Sequence, residues 1–488
     1  MRLFASPCSC FLPLLLLLAV GLTSAVASAE DTPAESPAAV SFHKDVRPIL
    51  VQHCQGCHQP AKPLGGLVLT SFADLQKGGE SEMPGIVPGK PDESYLVEQI
   101  TPVDGTTSMP KERPPLKSEQ IEIIRRWIAE GAADDTPMSV RAVVDAKNPP
   151  QYSLPPVLTS VDYSPDGSLL AVSGYHEVLL HKSDGSEIVG RLIGMSERIE
   201  SCVFSPDGQK LAVVGGSPGR FGEVQIWDVA KRELELSLQV GFDTLYGASW
   251  SHNGKLLAFG GPDNRVRAIE AATGKEVLQM GAHTDWVLGT VFSLDDAHLL
   301  SVSRDGSLKL TEVATQRFED NVTSITPGAL KGGLIAVDDL PKADPKDIDM
   351  VAMGGADGVP KIYRIYREKA RVIGDDFNFI RAFEALPGRV FSVKVSRDGK
   401  LLAAGSSYDD DATGQRHGMA RVYNVADAAK VSQFEGDFGP VYDLAFRPDA
   451  QQVAVVGFDG MVRLFDPTTG KLVTEFSAVP LTPDVAAK

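Results

Sequence analysis

The sequence predicts a multidomain protein, a small all-α domain followed by an all-β seven-bladed propeller. Three observations carry that expectation. The chain has 488 residues, too many for one ordinary core, and its 43% hydrophobic and 23% charged residues are ordinary for a globular protein. Residues 42–135 read as helical and loop-rich, whereas from 157 onward short β-type runs alternate with turns. The second part also repeats itself. A turn signature recurs at Ser164-Pro165-Asp166-Gly167, Ser205-Pro206-Asp207-Gly208 and Ser251-His252-Asn253-Gly254, and more weakly at Ser293, Ser396 and Arg447. Successive spacings are 41, 46, 42, 103 and 51 residues. The gap of 103 holds one further unit at 331–387, which makes seven.

Taken in order, residues 1–29 read as a secretory signal. Arg2 is the positive start, Leu12 to Leu22 the apolar run, and Ala27-Ser28-Ala29 an A-x-A cleavage site. The run is short for a spanning helix, so the mature chain is expected in the periplasm or cell envelope without a membrane span. A retained anchor is the alternative. Residues 30–41 form an Ala/Pro/Ser-rich leader, 42–135 the helical domain, and 136–156 a linker with Pro137, Pro149, Pro150, Pro155 and Pro156. Residues 157–478 form the propeller, four strands per blade, because one blade cannot bury both faces alone. Lys471–Ser477 is expected to be the last outer strand, and 479–488 a tail.

A formal net charge of -17 argues against nucleic acid and anionic membrane as partners. The excess of acids within 30–135 favours a basic redox partner protein. Removing 1–29 leaves three cysteines, too few for a disulfide scaffold. Cys202 reads as a buried thiol in a strand. Cys54 and Cys57 are a pair, and the next residue decides their chemistry.

Cys54-Gln55-Gly56-Cys57-His58 is C-x-x-C-H, the attachment pattern of c-type haem. Two thiols one helical turn apart can add to the two vinyl groups of one haem, and His58 then reaches the iron. A thioredoxin-like pair lacks its βαβ context, and a zinc site lacks two further ligands nearby. Met109, Met83, His43 and His53 are candidates for the second axial position. Met109 lies in a loop, Thr106 to Pro110, ahead of a helix from Lys117 to Ile128 with Ile121, Ile124 and Ile128 on one face. A first helix carrying the motif, a ligand loop and a closing helix favour Met109. Trp127 is expected in the core, Leu67, Val68 and Leu69 over a haem face, and Arg125 and Arg126 on the surface.

Two resemblances follow from these residues. The repeats over 157–478 resemble WD40 repeats, with Trp227-Asp228 keeping the signature dipeptide and Phe465-Asp466 and Tyr423-Asn424 standing where others would lie. Residues 42–131 resemble the cytochrome c domain family of planctomycete secreted proteins, often fused to WD40 propellers. Phe42, Val46 to Leu50, the Cys54–His58 motif, Gly65-Gly66-Leu67, Ile86 to Pro91, Ser94-Tyr95-Leu96, Met109-Pro110 and Trp127-Ile128 carry it. The resemblance implies one covalent haem c on Cys54 and Cys57, with His58 proximal and Met109 distal. Lys111 departs from the family, where a second Pro is frequent.

The propeller shows no catalytic constellation. His283-Thr284-Asp285-Trp286 with Asp305 resembles the WD40 hydrogen-bond set of His, Asp and an aromatic. The acidic stretches at Tyr408 to Asp411 and Asp339 to Asp349 read as solvated loops, with calcium as the alternative for the first. The expected function is an exported c-type cytochrome used for electron transfer, its propeller a scaffold that takes a protein partner on its rim. An enzyme is the less favoured alternative, with a second cofactor or substrate in the propeller as in cytochrome cd1, because His176, His252, His298 and His417 are scattered singly. A structural envelope protein is the third.

Overall fold

The computed structural model describes residues 39–54, 58–59, 62–69, 72–111, 114–136, 144, 148–325, 331–344, 346–372, 374–410, 413–436 and 438–482. The signal reading at 1–29, residues 30–38 of the leader, Cys57 and Asp411 lie outside them. No helix among the described residues is long and apolar enough to cross a membrane.

The N-terminal helices are short. A wide π-type turn, Phe42–Val46, is opened by Ser41, whose hydroxyl accepts from the Lys44 N–H at 2.9 Å. It runs into α1 (Arg47–His53), with Pro48 in the first turn where a missing N–H costs nothing. Then come β1 (His58–Gln59) paired with β2 (Lys62–Pro63), α2 (Phe72–Lys77), α3 (Tyr95–Ile100) and α4 (Ser118–Ala129). α4 buries Ile121, Ile124, Trp127 and Ile128, the face its periodicity predicts. Trp127 is the centre of this core. Its ring stacks on Phe42 at 5.2 Å and meets Phe72 edge-on at 6.1 Å, and its indole N–H donates to the Ala133 carbonyl at 2.9 Å.

The remainder is antiparallel β-sheet, six sheets beyond the β1–β2 pair among the described residues. The first holds β3 (Val161–Tyr163), β4 (Leu169–Ser173), β5 (Tyr175–Lys182), β6 (Ile188–Phe204), β7 (Lys210–Ser217), β8 (Phe221–Asp228) and β9 (Glu233–Val240). It is two four-stranded groups sharing β6, which pairs with β5 through its first half and with β7 through its second. Five four-stranded sheets follow. They are β10 (Tyr246–Trp250), β11 (Leu256–Gly260), β12 (Val266–Glu270) and β13 (Glu276–Met280); β14 (Val287–Phe292), β15 (His298–Ser303), β16 (Leu308–Glu312) and β17 (Arg317–Asn321); β18 (Leu334–Asp339), β19 (Met350–Gly355), β20 (Lys361–Arg364) and β21 (Phe379–Ala382); β22 (Arg389–Val395), β23 (Leu401–Asp409), β24 (Arg416–Asn424) and β25 (Lys430–Gln433); and β26 (Val441–Phe446), β27 (Val453–Gly457), β28 (Met461–Phe465) and β29 (Leu472–Ser477). β29 is the outer strand expected at Lys471–Ser477.

Second strands such as β11 and β27 are buried almost throughout, as sheets covered on both faces require. Outer strands such as β9 alternate exposed and half-buried residues. The turn signature has one local cause. Ser164 Oγ accepts from the Leu169 N–H at 2.9 Å and donates to Asp166, whose carboxylate accepts from the Ser168 N–H at 3.0 Å. Gly167 takes φ +71° between them. Ser205 with Asp207, Ser251 with Asn253, Ser293 with Asp295 and Ser396 with Asp398 repeat the arrangement.

Carboxylates join neighbouring first strands. Asp162 on β3 accepts from Phe204 N–H of β6 at 2.8 Å, and Asp338 on β18 from Val395 N–H of β22 at 2.7 Å. Asp443 on β26 accepts from Val161 N–H of β3 at 3.0 Å, so the last sheet touches the first. Part of the Pro-rich segment is tied down beside that contact. The Tyr152 hydroxyl donates to Glu177 at 2.7 Å, Arg191 donates to the Pro150 carbonyl at 2.8 Å, and Thr482 N–H donates to the Tyr152 carbonyl at 2.9 Å.

Candidate haem site and a cavity among the first strands

α1 delivers the C-x-x-C-H segment. Cys54 N–H closes the last turn on the Leu50 carbonyl at 2.9 Å, and the Cys54 side chain is half-buried against the apolar cluster around Leu50 and Trp127. His58 N–H donates to the Cys54 carbonyl at 3.1 Å, and the His58 carbonyl accepts from Leu69 N–H at 2.9 Å. These bonds hold His58 between the end of α1 and the segment 67–69. The helix expected through the motif stops at His53, and His58 lies in β1 instead. Gly56, Pro60 and Pro63 follow, all poor helix formers.

The His58 side chain is buried at 9% exposure, and its Nδ1 has no hydrogen-bond partner. A buried polar atom left unpaired costs about 1–3 kcal/mol, which suits an imidazole that a metal would engage. Met109 N–H donates to the Gln99 carbonyl at 2.9 Å, Pro110 is buried, and the Met109 side chain packs on the same cluster as Cys54 and Leu67. The chemistry fits a haem: a thiol and a thioether pack on one apolar core, and a buried imidazole is tied through its backbone to Leu69 of that core. Leu69 is buried in that core.

The other axial candidates sit differently. Met83 is 41% exposed. The His53 ring is 3.2 Å from Gln120 Nε2, and His43 N–H donates to Asp135 at 2.9 Å, although His43 Nδ1 is buried without a partner. Arg125 pairs with Asp92 at 2.5 Å and Arg126 with Glu130 at 3.0 Å. Among the described residues no group of three or more His, Cys, Asp or Glu is placed to hold a metal ion.

In the repeats, His283 bonds Asp305 at 2.9 Å and Ser301 at 2.8 Å. The third member is a serine, not the expected aromatic, because Trp286 stacks on Tyr246 at 5.9 Å under Arg304. Trp227 N–H donates to Gln225 at 2.8 Å, and Gln225 and Ser196 donate to buried Glu223 at 2.8 and 2.6 Å. The scattered histidines are held by their own neighbours. His176 lies 3.4 Å from the Gly194 carbonyl, and the His417 ring sits tilted against Tyr408 at 5.7 Å. His298 bonds Glu319 and Tyr366. His252 bridges Asp296 and Asp339 at 3.2 and 3.3 Å, and those two carboxylates raise it to about 9. Burial pushes the Cys202 thiol up, so it is a protonated core group.

The first strands line a cavity of about 1440 Å³. Burial lifts Asp162 to about 6 and Asp338 to about 7. Burial also opposes the charge of Lys394, but Asp338, Asp443 and Asp162 outweigh it and hold the amine protonated. Sequence reasoning missed this cluster. Asp162 and Lys394 each stand two residues ahead of a turn serine, Ser164 and Ser396, and superposing the repeats on that offset would have shown a charged layer.

Comparison with known proteins separates the same two regions. The profile of the family "Planctomycete cytochrome C" matches residues 54–113. That of "WD domain, G-beta repeat" matches 274–311 and 429–466. The chain joins a cytochrome c-like domain to WD40 repeats. Among curated relatives, it is 26% identical over 279 residues to "Periodic tryptophan protein 2" of Arabidopsis thaliana, covering 57% of this chain and 28% of that protein. It is 23% identical over 310 residues to the protein of the same name from Saccharomyces cerevisiae, covering 57% and 31%. It is 23% identical over 248 residues to "Serine-threonine kinase receptor-associated protein" of Gallus gallus, covering 46% and 68%. The chain thus spans under a third of the first two. WD40 repeats are a protein-interaction architecture, so the molecule pairs a haem-type domain with an interaction scaffold.

Proposed function

We propose that the chain is an exported c-type cytochrome that transfers electrons while its repeats, closed into seven blades, hold a partner protein. Cys54 and Cys57 would carry one haem covalently, with His58 and Met109 on its iron. When bound, that group supplies one-electron redox chemistry. The observation that carries the reading is buried His58 with its unpaired nitrogen, one turn beyond Cys54. Cys54 and Met109 pack on one apolar core, an environment in which a thioether would serve as ligand. Held by both His58 and Met109, the group would be without a free site for substrate, which would favour electron transfer over substrate binding. Contact between β26 and β3 supports ring closure.

The test is the visible spectrum of the chain matured with a c-type haem system, oxidised and reduced, with and without carbon monoxide. The expected result is one low-spin haem unmoved by carbon monoxide, and carbon monoxide binding in Met109→Ala but not in Met83→Ala. A wild-type haem that binds carbon monoxide would contradict the electron-carrier reading.

A further inference from the structure

We infer that the strand-entry mouth of the cavity binds an acidic, apolar-studded segment of a partner protein, an inference that rests on the scaffold reading. The mouth is where first strands begin and second strands end, since the two run antiparallel. Arg198, Arg304 and Arg389 surround it, and all three are exposed. Arg198 and Arg389 make no ion pair among the described residues, and Arg304 reaches Asp285 only at 3.8 Å. Of the acids in the same lining, Asp285 faces Arg304, Glu197 is taken by Arg220 at 3.1 Å, and burial, opposed by nearby Arg198, raises Glu200 to about 7. Exposed Arg198 and Arg389, outside any ion pair among the described residues, form a local cationic patch on a chain of net charge -17, and such patches select partners of opposite charge.

The aromatic content of the mouth is the second observation. Trp286 stacks on Tyr246 beneath Arg304, Phe391 meets Tyr442 edge-on at 5.4 Å, and Phe458 is 55% exposed. Half-buried aromatics with exposed Arg form the composition of binding hot spots. Farther in, the one cation, Lys394, is already surrounded by Asp162, Asp338 and Asp443, so the cations open to a partner stand at the rim. The chemistry therefore fits carboxylates at the rim with apolar side chains on the aromatics.

The experiment is isothermal titration of the full haem-loaded chain with two pools of acetylated octapeptides. One alternates Glu with Phe or Leu, and the other has Lys in place of Glu. The acidic pool is expected to bind, weakening as salt rises, and the Arg198→Glu/Arg389→Glu variant to lose about tenfold or more in affinity. Circular dichroism of that variant checks its fold, and Arg198→Lys/Arg389→Lys is expected to retain most of the binding. Tighter binding of the Lys pool, or acidic binding that the charge reversal leaves unchanged, would overturn the acidic mouth and leave the scaffold reading standing. Binding of neither pool would overturn both.

Discussion

The two regions solve the problem of burial in different ways. The small domain has one apolar cluster built from short helices, with three aromatic rings meeting at Trp127 and an unpaired imidazole nitrogen at its edge. The repeats spread their burial over many sheets, each with a similar Ser–Asp turn and each packed between neighbours. A concentrated core depends on single residues and on whatever completes it, whereas a distributed one tolerates local loss. The small domain is thus the part whose stability would follow the proposed haem.

Trp127→Ala is the sharpest way to break the comparison. It removes the ring between Phe42 and Phe72 and should cost the small domain about 3–5 kcal/mol. Calorimetry should show its transition collapse while the transition of the repeats stays in place. A parallel shift of both would mean that the two regions unfold as one unit.

Acidification should weaken the repeats through His181. Burial lowers its imidazole to about 4, and its Nε2 lies 3.0 Å from the Ala478 carbonyl, beside the last strand. The neutral form is the folded one, so the stabilisation is complete above pH 6.5 and is lost as pH falls from there through about 4. The loss is at most about 3 kcal/mol. Asp162 and Asp338 act in the opposite sense, because their raised values mean that protonation below about 7 relieves buried charge. Over this range the two carboxylates outweigh the one imidazole, so urea unfolding from pH 7 to pH 4.5 should show a smaller gain in stability in the wild type than in His181→Gln. Equal slopes would mean that His181 contributes no loss.

The smallest effect is expected at a turn. Ser205→Ala removes the hydroxyl that accepts from Lys210 N–H at 2.9 Å, worth about 1 kcal/mol. Thermal unfolding should shift slightly without separating the repeats into two transitions.

What was legible in the sequence was local. The Ser–Asp–Gly turns show because hydroxyl, carboxylate and a left-handed glycine act within five residues. α4 shows because Ile121, Ile124 and Ile128 recur at helical spacing. The C-x-x-C-H spacing fixed the candidate haem residues, although not that α1 ends before them. Ser301 in place of an aromatic, the Glu223 network and the Lys394 layer depend on contacts between strands far apart in sequence, which periodicity does not encode. The shared placement of Arg198 and Arg389 became visible only once the first strands were set side by side.

The most direct test of the central claim is peptide mass analysis of the purified chain after acid–organic extraction and proteolysis. The account predicts that haem stays with the protein and is recovered on one fragment containing Cys54, Cys57 and His58. Haem that extracts freely, with both cysteines recovered as unmodified thiols, would contradict it.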